Sequence, residues 1–166
     1  PDSSLRHFEW VPEQPGDPRA EIARRIVEAC AGARTVVAYN AGFEKGCLES
    51  LARAVPAQAA ALRSIITRLA DPLPILRAHV YHPDFGGSFS LKSVLPALVP
   101  DLGYDDLEIA EGETASRELM QLVTGADSRP ADERARRREA LLRYCERDTL
   151  AMVRVLSRLR ELAQRA

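Results

Sequence analysis

"TVVAYNAGFEKGCLESL", residues 35–51, passes from the pattern of a buried strand to that of a helix within a few positions. Thr35, Val36, Val37, Ala38 and Tyr39 are β-branched, small or aromatic, the types that fit a pleated and packed surface. Asn40, Ala41 and Gly42 turn the chain. Cys47, Leu48, Leu51 and Val55 then recur at helical spacing. Glu44 falls in the middle of that apolar face, with Cys47 and Leu51 on one side and Leu48 and Val55 on the other. A carboxylate there is costly unless something matches its charge. It also lies just past the C-terminal end of the predicted strand, the place where open α/β sheets bind ligands.

Working outward, "SLRHFEWV" (4–11) alternates Leu5, His7, Glu9 and Val11 with Arg6, Phe8 and Trp10, the period of a strand. "PEQPGDP" breaks it. Asp17 suits an N-cap and Pro18 the first helical position. Ile22, Ala23, Ile26, Val27 and Cys30 form a helical stripe that ends near Gly32. After the opening stretch, Pro56 marks a break before a helix over 57–69. Residues 71–98 read as short helical pieces around Gly86 and Gly87. Ser88 or Ser90 is placed to cap the piece that contains Leu91, Val94 and Leu95. An acidic connection, 100–113, leads to a helix over 113–124 and then to the longest helix, about 131–164. The order β-α-β-α followed by helix predicts an α/β fold with a helix-rich C-terminal half. Two strands alone make a marginal sheet, so further strands are expected, either unrecognised within this chain or supplied by neighbouring sequence or a partner.

The chain has 166 residues, a normal size for one domain, and a formal net charge of −1. That balance hides an asymmetry. Residues 84–128 hold nine acids and two bases, whereas residues 131–166 hold ten arginines and six acids. A basic segment of this kind suits phosphates or simply water. No apolar run reaches membrane-span length and no signal peptide is visible, so no membrane association is expected. Cys30, Cys47 and Cys145 have unrelated spacings. With Cys47 and Cys145 on faces that look buried, all three read as reduced core residues of a cytoplasmic protein. The first residue is Pro1 rather than Met, from which we expect a piece of a longer polypeptide.

The last helix repeats the anomaly of Glu44. Leu141, Cys145, Met152, Leu156 and Leu159 line one face, and Asp148 lies inside it, with Tyr144 one turn before. Arg143, Arg147, Arg154 and Arg158 lie opposite, toward water. Two carboxylates in apolar faces either pair with arginines, reach solvent at helix ends, or share a bound cation. Oxygen-only ligands suit Mg²⁺ or Mn²⁺.

"YNAGFEKG" resembles the second motif of the DEDD-type 3′–5′ exonucleases: an Asn, two variable residues, an aromatic, then an acid. "YCERD" resembles their third motif in its tyrosine form, Y-x-x-x-D, as in polymerase proofreading domains. Between them, "DPLPILRAHVYHPDFGGSFSLKSVLPAL" is similar to the family's connecting region, D-x-L followed by S-L-x-x-L. The block from about residue 35 to 160 also resembles the C-terminal part of a bacterial domain-of-unknown-function family related to these exonucleases and to the ribonuclease-H-like fold. The resemblance implies a two-metal site for Mg²⁺ or Mn²⁺ that hydrolyses phosphodiesters at the 3′ end of DNA or RNA. It implies that Asp148 is a direct metal ligand, that Glu44 holds the second metal directly or through water, and that Tyr144 positions the attacking water. Asn40 and Phe43 would shape the substrate end or brace the motif.

Two departures stand out. The usual acid of the second motif is Asp, and here it is Glu44. The first motif, D-x-E, is absent before residue 35, and in "HFEW" the residue two before Glu9 is His7. We therefore expect "SLRHFEWV" to match the third strand of an incomplete ribonuclease-H-like domain. The first strands and D-x-E would then lie in an upstream part of the same polypeptide, and the fragment by itself would be inactive or weak. The alternative is a non-catalytic nucleic-acid-binding or protein-interaction module of the same fold. A third reading takes His79 and His82, an H-x-x-H pair followed by Asp84, as transition-metal ligands, against a loop histidine bonded locally. His82, Ser90 and Lys92 fall on the segment that should flank the active face and are candidate substrate contacts. "ERARRRE" (133–139) is a solvated helix start or a phosphate contact. Trp10, Phe85 and Phe89 are candidates for base stacking, against a core or sheet-surface place for Trp10 and packing for Phe85 and Phe89.

Overall fold

The computed structural model describes residues 5–165. Over these residues the chain is mostly helical, with seven α-helices and one small two-stranded parallel sheet. It divides into two compact units. One holds the residues up to Pro18 together with Tyr104–Leu150, and the other holds Arg19–Gly103 with the residues from Ala151 onward.

The larger unit begins with helix α1, Arg19–Ala29, whose Ala23 is fully buried and whose outer face carries the ladder Glu21, Arg24, Arg25 and Glu28. Strand β1 is Val36–Val37, helix α2 is Gly42–Ala54 and helix α3 is Ala59–Ile66. Strand β2, Leu69–Ala70, lies parallel to β1 in the register Val36 with Leu69 and Val37 with Ala70. A parallel pair needs a crossover, and α2 and α3 supply it. The apolar stripes of α1, α2 and α3 make the core: Ala23, Leu48, Ala52, Leu62 and Ile65, with Ile26, Val27, Val36 and Leu51 packed against them. Helix α4, Leu73–His79, and helix α5, Leu91–Leu98, follow, separated by a turn at Pro83–Phe85. Ser90 caps α5, its hydroxyl oxygen accepting the Ser93 N–H at 3.2 Å.

In the other unit, helix α6 is Gly112–Thr124 and helix α7 begins at Ala131, running to Arg165. Its core joins Val11, Ile109, Ala115, Ala140, Leu141 and Leu142. Gly125 ends α6 at φ 71°, and the Gly16 N–H donates to the Val123 carbonyl at 3.0 Å, so the "PEQPGDP" turn lies on the end of α6. Arg129 is half-buried in the connection between α6 and α7. It donates to Glu118 at 2.6 Å and to both Asp127 oxygens at 2.7 Å.

Three expectations are corrected. Residues 5–11 form no strand, and Ser4 lies outside the described residues. The alternation is there, but residues 5–9 are exposed, and Val11 is held by a side chain: the Arg138 guanidinium donates to its carbonyl at 2.9 and 3.2 Å. The helix expected over 57–69 stops at Ile66, because Leu69 and Ala70 pair with β1. Cys47 and Cys145 are exposed rather than buried, and Cys30 is half-buried; all three are free thiols. Leu48 and Leu141 take the buried positions of their faces instead. No described helix is long and apolar enough to cross a membrane.

Candidate functional site

The residues singled out by sequence fall into both units. In the larger one, β1 delivers Tyr39 and Asn40 to the C-terminal edge of the sheet. Asn40 takes a left-handed conformation, φ 60°, which Asn tolerates better than most residues. Asp71 holds it there. Its carboxylate accepts the N–H of Asn40 and of Ala41, both at 3.0 Å, and of Leu73 at 2.9 Å. One side chain at the end of β2 thus fixes the turn at the end of β1. The tyrosine before the turn is fixed as well: the Tyr39 hydroxyl donates to the Phe89 carbonyl at 2.5 Å. Burial, and then the Asp71 carboxylate, push the Tyr39 phenol up to about 12, so it stays a donor at neutral pH.

Beyond the turn, Phe43 is 73 % exposed, while Glu44 is half-buried on the first turn of α2. Glu44 Oε2 is shut off from solvent and has no hydrogen-bond partner among the described residues. Such an oxygen is costly to leave unmatched. His82 is engaged locally: its Nδ1 accepts the Asp84 N–H at 3.3 Å, and its ring lies 5.9 Å from Phe85. Asn40 and Ser90 line one open groove with Tyr39, Leu73, Arg77 and the 87–91 loop. Phe43, His82 and Lys92 are not part of that lining.

In the other unit, Asp148 is half-buried on α7, and a phenol is bonded to it. The Tyr104 hydroxyl donates to Asp148 Oδ1 at 2.6 Å, with the Tyr104 and Tyr144 rings 6.4 Å apart. Burial first, then the hydrogen bond to Asp148, raise the Tyr104 phenol far above its ordinary value. Burial and the Asp148 charge raise Tyr144. Both phenols therefore remain protonated beside a carboxylate. The neighbouring arginines face acids of the preceding loop. Arg147 grips both Asp106 oxygens at 2.7 Å, and Arg136 and Arg137 reach Glu108 at 3.0 and 3.1 Å.

Carboxylate oxygens suit Mg²⁺ or Mn²⁺, and the unmatched Glu44 oxygen fits a cation ligand. Within either unit, however, no three His, Cys, Asp or Glu of the described residues gather as a metal site, H-x-x-H included. Sequence reasoning passed over Asp71, Tyr104 and Arg77. Asp71 was visible as the D of D-x-L, but its three N–H donors come from folding. Tyr104 lies 44 residues from Asp148, and no local pattern joins them.

The model of one protein family, described as a domain of unknown function (DUF2779), matches residues 1–90. That span carries the opening strand and turn, Glu44 and Asp71, while Tyr144 and Asp148 lie beyond it. No curated protein and no solved structure matches the chain. With more than half of its length matched, the chain belongs to the DUF2779 family.

Proposed function

We propose that the chain is part of a metal-dependent 3′–5′ exonuclease of ribonuclease-H-like fold acting on DNA or RNA ends. Glu44, Tyr144 and Asp148 are its contribution to the site, and the remaining acids come from an upstream part of the same polypeptide. The observation that carries the reading is the Glu44 oxygen: closed to water, without a partner among the described residues, and placed just past the C-terminal edge of a parallel pair. A divalent cation would supply the missing positive partner and, in a completed centre, activation of water and stabilisation of the leaving oxygen. The match of "YNAGFE" and "YCERD" to the exonuclease motifs supports the same reading.

The full-length gene product, given Mn²⁺ and 5′-labelled single strands, should shorten them stepwise from the 3′ end. Asp148→Ala and Glu44→Gln should each lower the rate by at least about a hundredfold. Full activity in Asp148→Ala would remove the site from consideration. A second reading, a binding or interaction module that keeps the fold without the chemistry, is favoured by one observation. Asp148 already has a neutral donor in Tyr104 and needs no cation for its burial. Under that reading the full-length product binds single strands without shortening them, and Asp148→Ala leaves binding unchanged.

A further inference from the structure

The open groove of the larger unit is built to a shape that the metal-site residues do not explain. One wall is the end of β1, Tyr39 and Asn40, and the other is the loop from Gly87 to Leu91. The hydrogen bond from Tyr39 to the Phe89 carbonyl ties the two walls together, and Asp71 fixes the Asn40 backbone. Gly86 and Gly87, at φ 57° and 78°, let the loop turn back toward the strand end.

Arg77 projects from α4 into this groove. Several arginines of the chain have a carboxylate, as Arg24, Arg129, Arg136, Arg147 and Arg154 do. Arg77 is exposed, and among the described residues no carboxylate pairs with it. Its charge reaches the Tyr39 hydroxyl. Asp71, the carboxylate that shares those surroundings, is already engaged by three backbone N–H groups. The groove therefore presents a guanidinium fork with the Asn40 amide and the Ser88 hydroxyl nearby and a half-buried aromatic ring, Phe89, beside them. A planar fork of donors matches the oxygens of a phosphate ester. An aromatic face matches a base of any sequence.

We infer that this groove is a nucleotide subsite, with a phosphate on Arg77 and the base against Phe89. The inference rests on the nuclease reading for the choice of a nucleotide over other phosphate esters, and it assigns a side chain that neither exonuclease-like motif contains. The shared chemistry, a phosphate joined to a planar base, is found in a free mononucleotide and in a strand end.

The test is a titration of the ¹⁵N-labelled chain, followed by amide shifts in chelator, with AMP, dTMP, adenosine and ribose 5-phosphate. AMP and dTMP should bind with a Kd on the order of 1 mM, shifting residues 39–41 and 87–91. Adenosine and ribose 5-phosphate should each bind more weakly, since each lacks half of the recognised group. Arg77→Ala should weaken AMP by at least about tenfold at unchanged Tm, because the side chain is exposed. A short single strand with a 3′-OH that competes with AMP assigns the site to strand ends, and failure to compete assigns it to free mononucleotides. Equal AMP binding by wild type and Arg77→Ala, or no shift at about 10 mM AMP, overturns the subsite. The chelator keeps this separate from the metal centre. Failure of the full-length product to shorten single strands with Mn²⁺ would sink the nuclease reading with AMP binding intact, whereas AMP binding indifferent to Arg77 would sink the subsite alone.

Discussion

Asp71 holds more of the larger unit together than its half-exposed position suggests. Its two oxygens collect three backbone N–H groups from two separate parts of the chain. Hydrogen bonds to a charged acceptor contribute about 1.5–3 kcal/mol each when they stand alone, and shared acceptors sum to less. Asp71→Ala should therefore destabilise the protein by about 2–4 kcal/mol, read as a lower urea midpoint. Asp71→Asn keeps one acceptor oxygen and should lose about half as much. A midpoint for Asp71→Ala equal to that of wild type would mean that water replaces the carboxylate at no cost. The same residue keeps Asn40 in its left-handed turn, so both variants should also broaden or shift the Asn40 and Ala41 amides. At this scale the sequence showed the residues and not their partners. Asn40 was readable as a turn residue and Asp71 as part of D-x-L, yet the bond between them spans 31 positions.

At the scale of elements, the join between α6 and α7 depends on Arg129. Its guanidinium neutralises Glu118 and Asp127, whose side chains are 10 % and 6 % exposed. The hydrogen bond from Arg129 holds the Asp127 carboxyl at about 2, below its ordinary value of 3.8. A carboxyl depressed in the folded state contributes stability that is fully present above its ordinary value. That contribution disappears as pH falls from about 4 through about 2. Arg129→Met removes the cation and leaves two acids closed off together, so it should lower the urea midpoint at pH 7. It should also flatten the loss of stability between pH 4 and 2, since Asp127 then titrates near its unfolded value. Parallel wild-type and variant curves over that range would show that the pair does not govern the acid response. Elements with a strong period came out close to their predicted bounds: α1, α2, α6 and α7 each rest on an apolar stripe that is local information. The segment 5–11 and strand β2 did not. Alternation is necessary for a strand, but a ladder also needs a partner, and partners are chosen by the whole chain.

For the whole molecule, the charge asymmetry resolves into pairs. The acidic loop and the arginine-rich helix face one another locally. Asp106 meets Arg147 and Glu108 meets Arg136 and Arg137 in one unit, and Asp101 meets Arg154 in the other. Exposed pairs of this kind stabilise little, at most about 1 kcal/mol each. Each pair nonetheless lowers the positive charge that its arginine offers to a polyanion. Combining Asp106→Asn with Glu108→Gln should therefore delay elution from heparin by roughly 0.1 M salt while leaving the fold intact by circular dichroism. Unchanged elution would show that these arginines already reach polyanions past their carboxylate partners.

What the sequence determined by itself was local: the helical stripes, the Ser90 cap, a turn that an Asn can make, and two acids set into apolar faces. These follow from spacing along one element, where neighbours three and four residues apart share a face. The tertiary structure alone decided the partners of those acids. Asp148 received a phenol, Glu44 an oxygen without any donor among the described residues, and Asp71 three amides. It also left Cys47 and Cys145 in solvent and turned Leu69 and Ala70 into a strand. The reason is physical. A polar group's environment depends on which distant atoms fill its hydrogen-bonding directions, and no period along the chain encodes that choice.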